Sequence, residues 1–434
     1  MKSNVLEIYL HEENSRMWGI KAGDIWAVSC GKKQTRVRLR EGSSPLSQEL
    51  PVITITPGLA RDLHLPSGIS LTVSAEENKL RLGPLVGILA GPYNTQTGSF
   101  GSQDKFFRSL CFHMRKLSGL AFVFTCNDLD PVRKLVHGYY LEKEGGPWRR
   151  LWLPFPDVCY NRYHHHSGDT PSRYGVMSLK KYGIKVFNMG VGDKWSVHKR
   201  LLQNRQVAPH LPETHLVKSR QILNTMLAKY PQVYIKPING CKGQDIIRIS
   251  RHQGSYLVKS TDDVNGRVIA GLSGLLGGSV SRLRLVQQGI KTPGDDRHFD
   301  LRVMVQKDRY NEWHVSGIAV RMGARGRITT NMATRGQAER LEQTLGDLGW
   351  TDERIARIRE DIKDLALEIA GTLDRYAIYL GELGLDFIID TRGKVWFLEA
   401  NPKPARKVFT IIDAEMRRLA VSRPMEYACW LAGF

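Results

Sequence analysis

The stretch GLDFIID-TRG-KVWFLEANPKP, residues 384–404, restricts the fold more than any other part of the chain. Two apolar runs flank a short turn carrying Arg-Gly, the pattern of a β-hairpin. With Arg392 and Gly393 in the loop, Thr391 faces Lys394 and, counting back, Asp386 faces Glu399. Side chains alternate along a strand, so Val395, Phe397, Glu399 and Asn401 are expected on one face, with Trp396 and Leu398 on the other. Asp386, Glu399 and Asn401 then converge. A carboxylate in so apolar a strand pair is costly without a partner. Hard divalent cations such as Mg2+ or Mn2+ are held by oxygens of this kind and fill their remaining positions with phosphates and water. The competing reading is that the three residues cap strand ends near solvent.

Metal-bound phosphates also need cations and a pliable turn. Lys236 ends the apolar strand QVYIKP and is followed by Gly240 and Gly243 in INGCKGQD, a turn able to lie over phosphates. Lys199 follows GDKW where a helix is expected to start. In HFDLRVMVQ, Asp300 and Arg302 share a strand face. Arg297, Arg302 and Arg321 have the fork geometry to hold phosphate or a substrate carboxylate, or else form salt bridges across the strand face. The clearest helix spans TDERIARIREDIKDLALEIAGTLDRYA. There Ile355, Ile358, Ile362, Leu365, Ile369 and Leu373 recur at three- and four-residue spacing behind a Thr351 cap.

The rest of the chain sets these elements in order. Residues 1–83 read as a β-rich unit of short β-branched runs separated by Gly, Pro and Ser turns. Residues 84–190 alternate strand and helix, beginning with LVGILAG, and predict an α/β unit. GPYNTQTG after the first strand is not GxGxxG, so no dinucleotide site is expected. Residues 191–434 mix strands and helices. The adjacent histidines 164–166 would diverge on a strand or a helix and read as a polar loop.

Composition narrows the classes of function. The formal net charge is +20, which calls for an anionic partner. Lys and Arg are spread along the chain, densest in KKQTRVRLR, where alternation fits either a solvated strand face or a polyanion-binding face. The six cysteines, at 30, 111, 126, 159, 241 and 429, form no CxxC pair, which fits a reducing compartment and no zinc cluster. The N-terminus lacks the pattern of a signal peptide and no apolar run reaches about 18 residues, so a cytoplasmic location without a membrane partner is expected.

Taken together, these motifs resemble the ATP-grasp superfamily over about residues 190–405. IKP with its glycine turn resembles that family's nucleotide lysine and phosphate loop, here Lys236, Gly240 and Gly243. LVQQGI resembles the hinge that reads adenine, which implies Gln287, Gln288 and Ile290 as binding residues. DFIID with VWFLEANPKP resembles the metal-binding end, here Asp386, Glu399 and Asn401, and Lys199 is matched to the earlier nucleotide lysine. FDLRV and TTN are similar to the branch of tubulin–tyrosine-ligase-like and glutathione-synthetase-like enzymes, which implies substrate-side roles for Arg302, Arg321 and Asn331. Over nearly its whole length the chain is similar to the YheC/YheD-type endospore coat-associated proteins.

The resemblance implies an α+β ATP-grasp fold behind a Rossmann-like α/β unit and a small β-rich unit. It also implies an ATP- and Mg2+-dependent ligase linked to sporulation. Such enzymes activate a carboxylate as an acylphosphate that an amine, from an amino acid or peptide, then attacks. Positioning and charge neutralisation are the protein's contribution to that chemistry. The resemblance also implies the mother cell or the spore coat as the setting, and a second expectation is a spore-coat scaffold with little turnover. A third, nucleic-acid binding, lacks every recognisable module.

Overall fold

In the computed structural model the described residues are 6–10, 12–41, 52–163, 171–240, 245–261, 263, 265–272, 283–294, 298–324, 328 and 337–434. The chain forms two compact units. The first comprises Met1–Met189, Lys307–Glu312 and Val421–Phe434; the second comprises Gly190–Gln306 and Trp313–Ala420.

The first unit contains two sheets. One has six described strands in the order Leu6–Leu10, Lys33–Glu41, Ile25–Cys30, Lys79–Gly83, Ser70–Glu76, Val52–Thr54. Within Lys33–Glu41 the alternation is visible, with Val37 and Leu39 buried and Arg36 and Arg40 exposed. The other is built around Leu85–Leu89, which runs parallel to Leu120–Phe124 on one side and Val158–Asn161 on the other. Helix Asp104–Lys116 packs on it, giving the expected β-α-β layout. One apolar core joins residues of both sheets, from Val28 and Leu39 to Phe122 and Val186. The closing segment Val421–Phe434 contributes Met425, Tyr427 and Leu431 to a second core of this unit. No described helix is long and apolar enough to cross a membrane.

The second unit also contains two sheets. A six-stranded one runs Thr214–Leu216, Arg284–Gln288, Gln232–Pro237, Ile247–His252, Ser255–Ser260, Arg267–Ile269. A five-stranded one runs Gln337–Glu339, Trp313–Met322, Phe299–Lys307, Glu382–Ile389, Val395–Asn401. Helix Asp352–Asp374 lies on the second sheet and buries the predicted stripe from Ile355 to Leu373. Each fully buried aliphatic side chain there contributes roughly 1.5–3 kcal/mol. Thr351 caps this helix, its hydroxyl oxygen accepting from the Arg354 N–H at 3.4 Å.

The acidic hairpin departs from the expected register in two places. The turn is one residue longer than Arg392-Gly393 alone: the Asp390 N–H donates to the Lys394 carbonyl at 3.0 Å and Gly393 sits at φ 93°. Near the turn the pairs are therefore Ile389↔Val395, Ile388↔Trp396 and Phe387↔Phe397. A bulge then leaves Leu398 without a partner and restores Asp386↔Glu399, Leu385↔Ala400 and Gly384↔Asn401. The bulge overturns the expected faces. Val395 and Phe397 point into the core with Phe387 and Ile389, whereas Glu399 and Asn401 lie on the opposite face with Asp386. Because the side-chain period is two, the one inserted residue moves the carboxylate off the core face.

Candidate functional site

On that opposite face, strand Phe299–Lys307 presents Asp300 and Arg302 while Leu301 and Val303 enter the core. Arg302 Nε donates to Asp386 Oδ1 at 2.5 Å and its Nη2 to Oδ2 at 3.2 Å. From strand Trp313–Met322, Arg321 forms two 2.6 Å hydrogen bonds to Asp300, and its Nη2 lies 2.9 Å from Asp386 Oδ2. Removal from water pushes the Asp386 carboxyl up, but attraction to Arg302 and Arg321 and their hydrogen bonds hold it below the usual carboxylate range. A buried charge of this kind is tolerated because its partners are in place. Arg302 and Arg321 are thus committed to carboxylates of the chain. Arg297 and Asn331 lie outside the described residues.

Glu399 is less occupied. Its side chain is 38% exposed, and its ion-pair neighbour is the Lys194 ammonium, 3.6 Å from Oε2. Asn401 Oδ1 accepts from the Lys403 N–H at 2.9 Å, an Asx turn that fixes the chain as it leaves the strand. Each of the three predicted ligands therefore keeps acceptor capacity beyond its present bonds. An all-oxygen set on one sheet face, with two carboxylates, fits a hard divalent cation.

Lys236 lies on the second unit's other sheet. Its strand alternates regularly: Val233 and Ile235 enter the core while Tyr234 and Lys236 face the other way. Lys236 Nζ donates to Gln287 Oε1 at 2.7 Å, and Gln287 Nε2 in turn donates to Thr214 Oγ1 at 3.1 Å. Withdrawal from water lowers the ammonium to about 8, and Lys194 pushes the same way, while Glu399, Asp386 and Asp300 oppose the shift. Lys236 has no ion-pair partner among the described residues, so a cation with a depressed pKa is hydrogen-bonded to a neutral amide.

Of the expected hinge, Gln287 is buried with its amide committed to Lys236 and Thr214. Gln288 pairs with Glu213, its N–H donating to the Glu213 carbonyl at 2.8 Å, and Ile290 is half-buried. Gly289 between them is required by close approach: a Cβ there would come within 2.4 Å of Gln232 Cγ. Gly240 follows Lys236's strand, whereas Gly243 and the rest of 241–244 lie outside the described residues. The histidines 164–166 also fall outside them.

One expected cation is not brought to the cluster. Lys199 is exposed near the end of helix Lys194–Leu202, 6.0 Å from the Trp195 ring, and another lysine of that helix takes the place beside Glu399. Lys194 and Lys199 are five residues apart, about 140° around the helix, so the two cannot face one site. Lys194 Nζ also donates to the Gly240 carbonyl at 2.6 Å. A signal for Lys194 stood in the sequence. Asp193 caps the helix, its Oδ1 accepting from the Ser196 N–H at 2.9 Å, which makes Lys194 the first helical residue. A cation there opposes the helix dipole and gains nothing from the helix itself. Lys199, near the C-terminal end, stands where the dipole favours it.

The family description YheC/D like ATP-grasp matches residues 183–431. The chain belongs to the YheC/D-like ATP-grasp family. Its relatives include the endospore coat-associated protein YheD of Bacillus subtilis (strain 168), 28% identical over 394 residues, which cover 88% of this chain and 86% of YheD. Endospore coat-associated protein YheC of the same organism is 24% identical over 323 residues, covering 72% of this chain and 88% of YheC. Among solved structures, the VanG D-Ala:D-Ser ligase from Enterococcus faecalis is similar over 81% of this chain and 99% of its own, with 13% identity and a TM-score of 0.46. Within this ATP-grasp chain, the lysines, the acidic hairpin and the two arginine–carboxylate pairs all belong to the second unit.

Proposed function

We propose that the second unit binds ATP with a divalent metal and ligates a carboxylate to an amine, activating the carboxylate as an acylphosphate. The observation that carries this reading is Lys236, a partly dehydrated ammonium whose hydrogen-bond partner is a neutral amide. A phosphate oxygen supplies the charge that Gln287 lacks. Lys194 and Lys236 direct the phosphates, with Gly240 and Gly243 in the covering turn. Gln288 and Ile290 border the adenine, and Gln287 holds Lys236 in line. Mg2+ or Mn2+, held by Glu399, Asp386 and Asn401, would neutralise charge on the transferring phosphoryl group. Arg302 and Arg321 keep Asp386 ionised and oriented, and with Asn331 they border the substrate. An amino acid or peptide is the amine, and the setting is sporulation, as the names of the relatives suggest.

A second reading is a coat-associated scaffold that keeps the fold with little turnover. It is favoured by Asp386, both of whose oxygens already accept from arginine. A screen of ADP release with amino acids and short acidic peptides, followed by mass spectrometry of the product, separates the two. Release that depends on an added amine supports the ligase. Nucleotide binding without release in the presence of any acceptor supports the scaffold.

A further inference from the structure

Three described cations near Asp386 and Glu399 are firmly held. Arg302 and Arg321 are locked by two-pronged contacts to Asp386 and Asp300, and Lys236 is fixed by Gln287. Lys194 differs. It spans two elements, donating to the Gly240 carbonyl at 2.6 Å while standing 3.6 Å from Glu399 Oε2. Its side chain is 22% exposed and that of Glu399 38%, so water screens the pair and its separation costs little. The ammonium nevertheless stands against the more accessible of the two carboxylates.

We infer that Lys194 is an exchangeable counter-ion that makes metal and nucleotide loading interdependent. The inference rests on the nucleotide and metal reading above. In the ligand-free chain Lys194 neutralises Glu399. A divalent cation approaching alone meets a carboxylate already paired and an ammonium that repels it. A nucleotide offers Lys194 phosphate oxygens, draws it from Glu399, and leaves that carboxylate for the metal. Each ligand thus removes an obstacle to the other, and the coupling is reciprocal. The same movement releases the Gly240 carbonyl. Lys199, exposed and on another face, takes no part.

The test measures Mn2+ affinity by electron paramagnetic resonance, with and without a non-hydrolysable ATP analogue, in the full chain. Lys194→Gln is compared with wild type and with Lys194→Arg. The side chain is partly exposed, so both variants are expected to fold, and circular dichroism verifies it. In wild type the analogue tightens Mn2+ binding by about tenfold or more. In Lys194→Gln, Mn2+ alone binds about two- to fivefold tighter than to wild type, the scale of one exposed ion pair. The analogue binds about tenfold weaker to that variant, the scale of one charge-assisted hydrogen bond, and Lys194→Arg keeps the wild-type order. Mn2+ affinity that is unchanged or weaker in Lys194→Gln overturns the counter-ion role while leaving the nucleotide reading intact. Failure of wild type to bind the analogue overturns both.

Discussion

Two strands of the second unit each carry one charged side chain out of an apolar core, and they do so differently. Gln232–Pro237 uses plain alternation: Val233 and Ile235 go in, Tyr234 and Lys236 go out, and the register with Arg284–Gln288 is unbroken. Val395–Asn401 begins with Val395 and Phe397 in the core, and uninterrupted alternation would send Glu399 in behind them. The unpaired Leu398 reverses the faces, and Glu399 emerges beside Asp386. A lysine can be placed by periodicity alone, whereas this carboxylate depends on an irregularity in the ladder.

Removing the irregularity should have the largest effect. Deletion of Leu398 is expected to turn Glu399 into the apolar core beneath helix Asp352–Asp374, and to cost more than about 3 kcal/mol. A denaturant midpoint unchanged by the deletion would show that the bulge is not what directs the carboxylate. A smaller effect is expected on the regular strand. Lys236→Met should weaken nucleotide binding by about tenfold or more and leave the strand register intact. In wild type, nucleotide affinity should fall as pH rises through about 8, because Lys236 is cationic only below that point. The same depressed pKa places more protons on the unfolded chain above pH 8, so wild-type stability should rise from there toward the ordinary lysine range. Lys236→Met should lose both trends, which paired titrations and melts at pH 7 and 9 would reveal. The smallest effect is expected at Lys199→Ala, within about 0.5 kcal/mol in stability, with nucleotide affinity unchanged. A tenfold loss there would restore Lys199 to the site and contradict the position of Lys194.

The sequence carried most of the architecture, because hydrophobic periodicity is local. The stripe from Ile355 to Leu373, its Thr351 cap and the alternating Gln232–Pro237 strand were readable from spacing. The spacing also predicts the pairing of Asp386 with Glu399, which the structure keeps through two offsetting differences. The turn shifts the register by one residue and the bulge at Leu398 shifts it back. Neither is encoded by apolar spacing, so the predicted faces were inverted although the pair was found. The partners of Asp386 depend on strand order, which places Phe299–Lys307 between Glu382–Ile389 and Trp313–Met322. For Arg302 and Arg321 the sequence leaves phosphate contacts and strand-face salt bridges equally open, and the strand order decides for the salt bridges. Lys194 was legible in principle, since Asp193 marks the helix start and a lysine just inside it opposes the dipole. Lys199 rests on the resemblance and on its place after GDKW, neither of which determines which face of the helix it takes.

The two charged strands are joined in one account by the claim that Lys236 and Glu399 serve a single nucleotide–metal site. Isothermal titration of a non-hydrolysable ATP analogue with Mg2+ tests this most directly, in wild type, Lys236→Met, Glu399→Gln and the double variant. The account predicts binding in wild type, about tenfold or greater loss in each single variant, and a Mg2+ dependence that disappears with Glu399. Absence of binding in wild type, or full retention in the double variant, would contradict it.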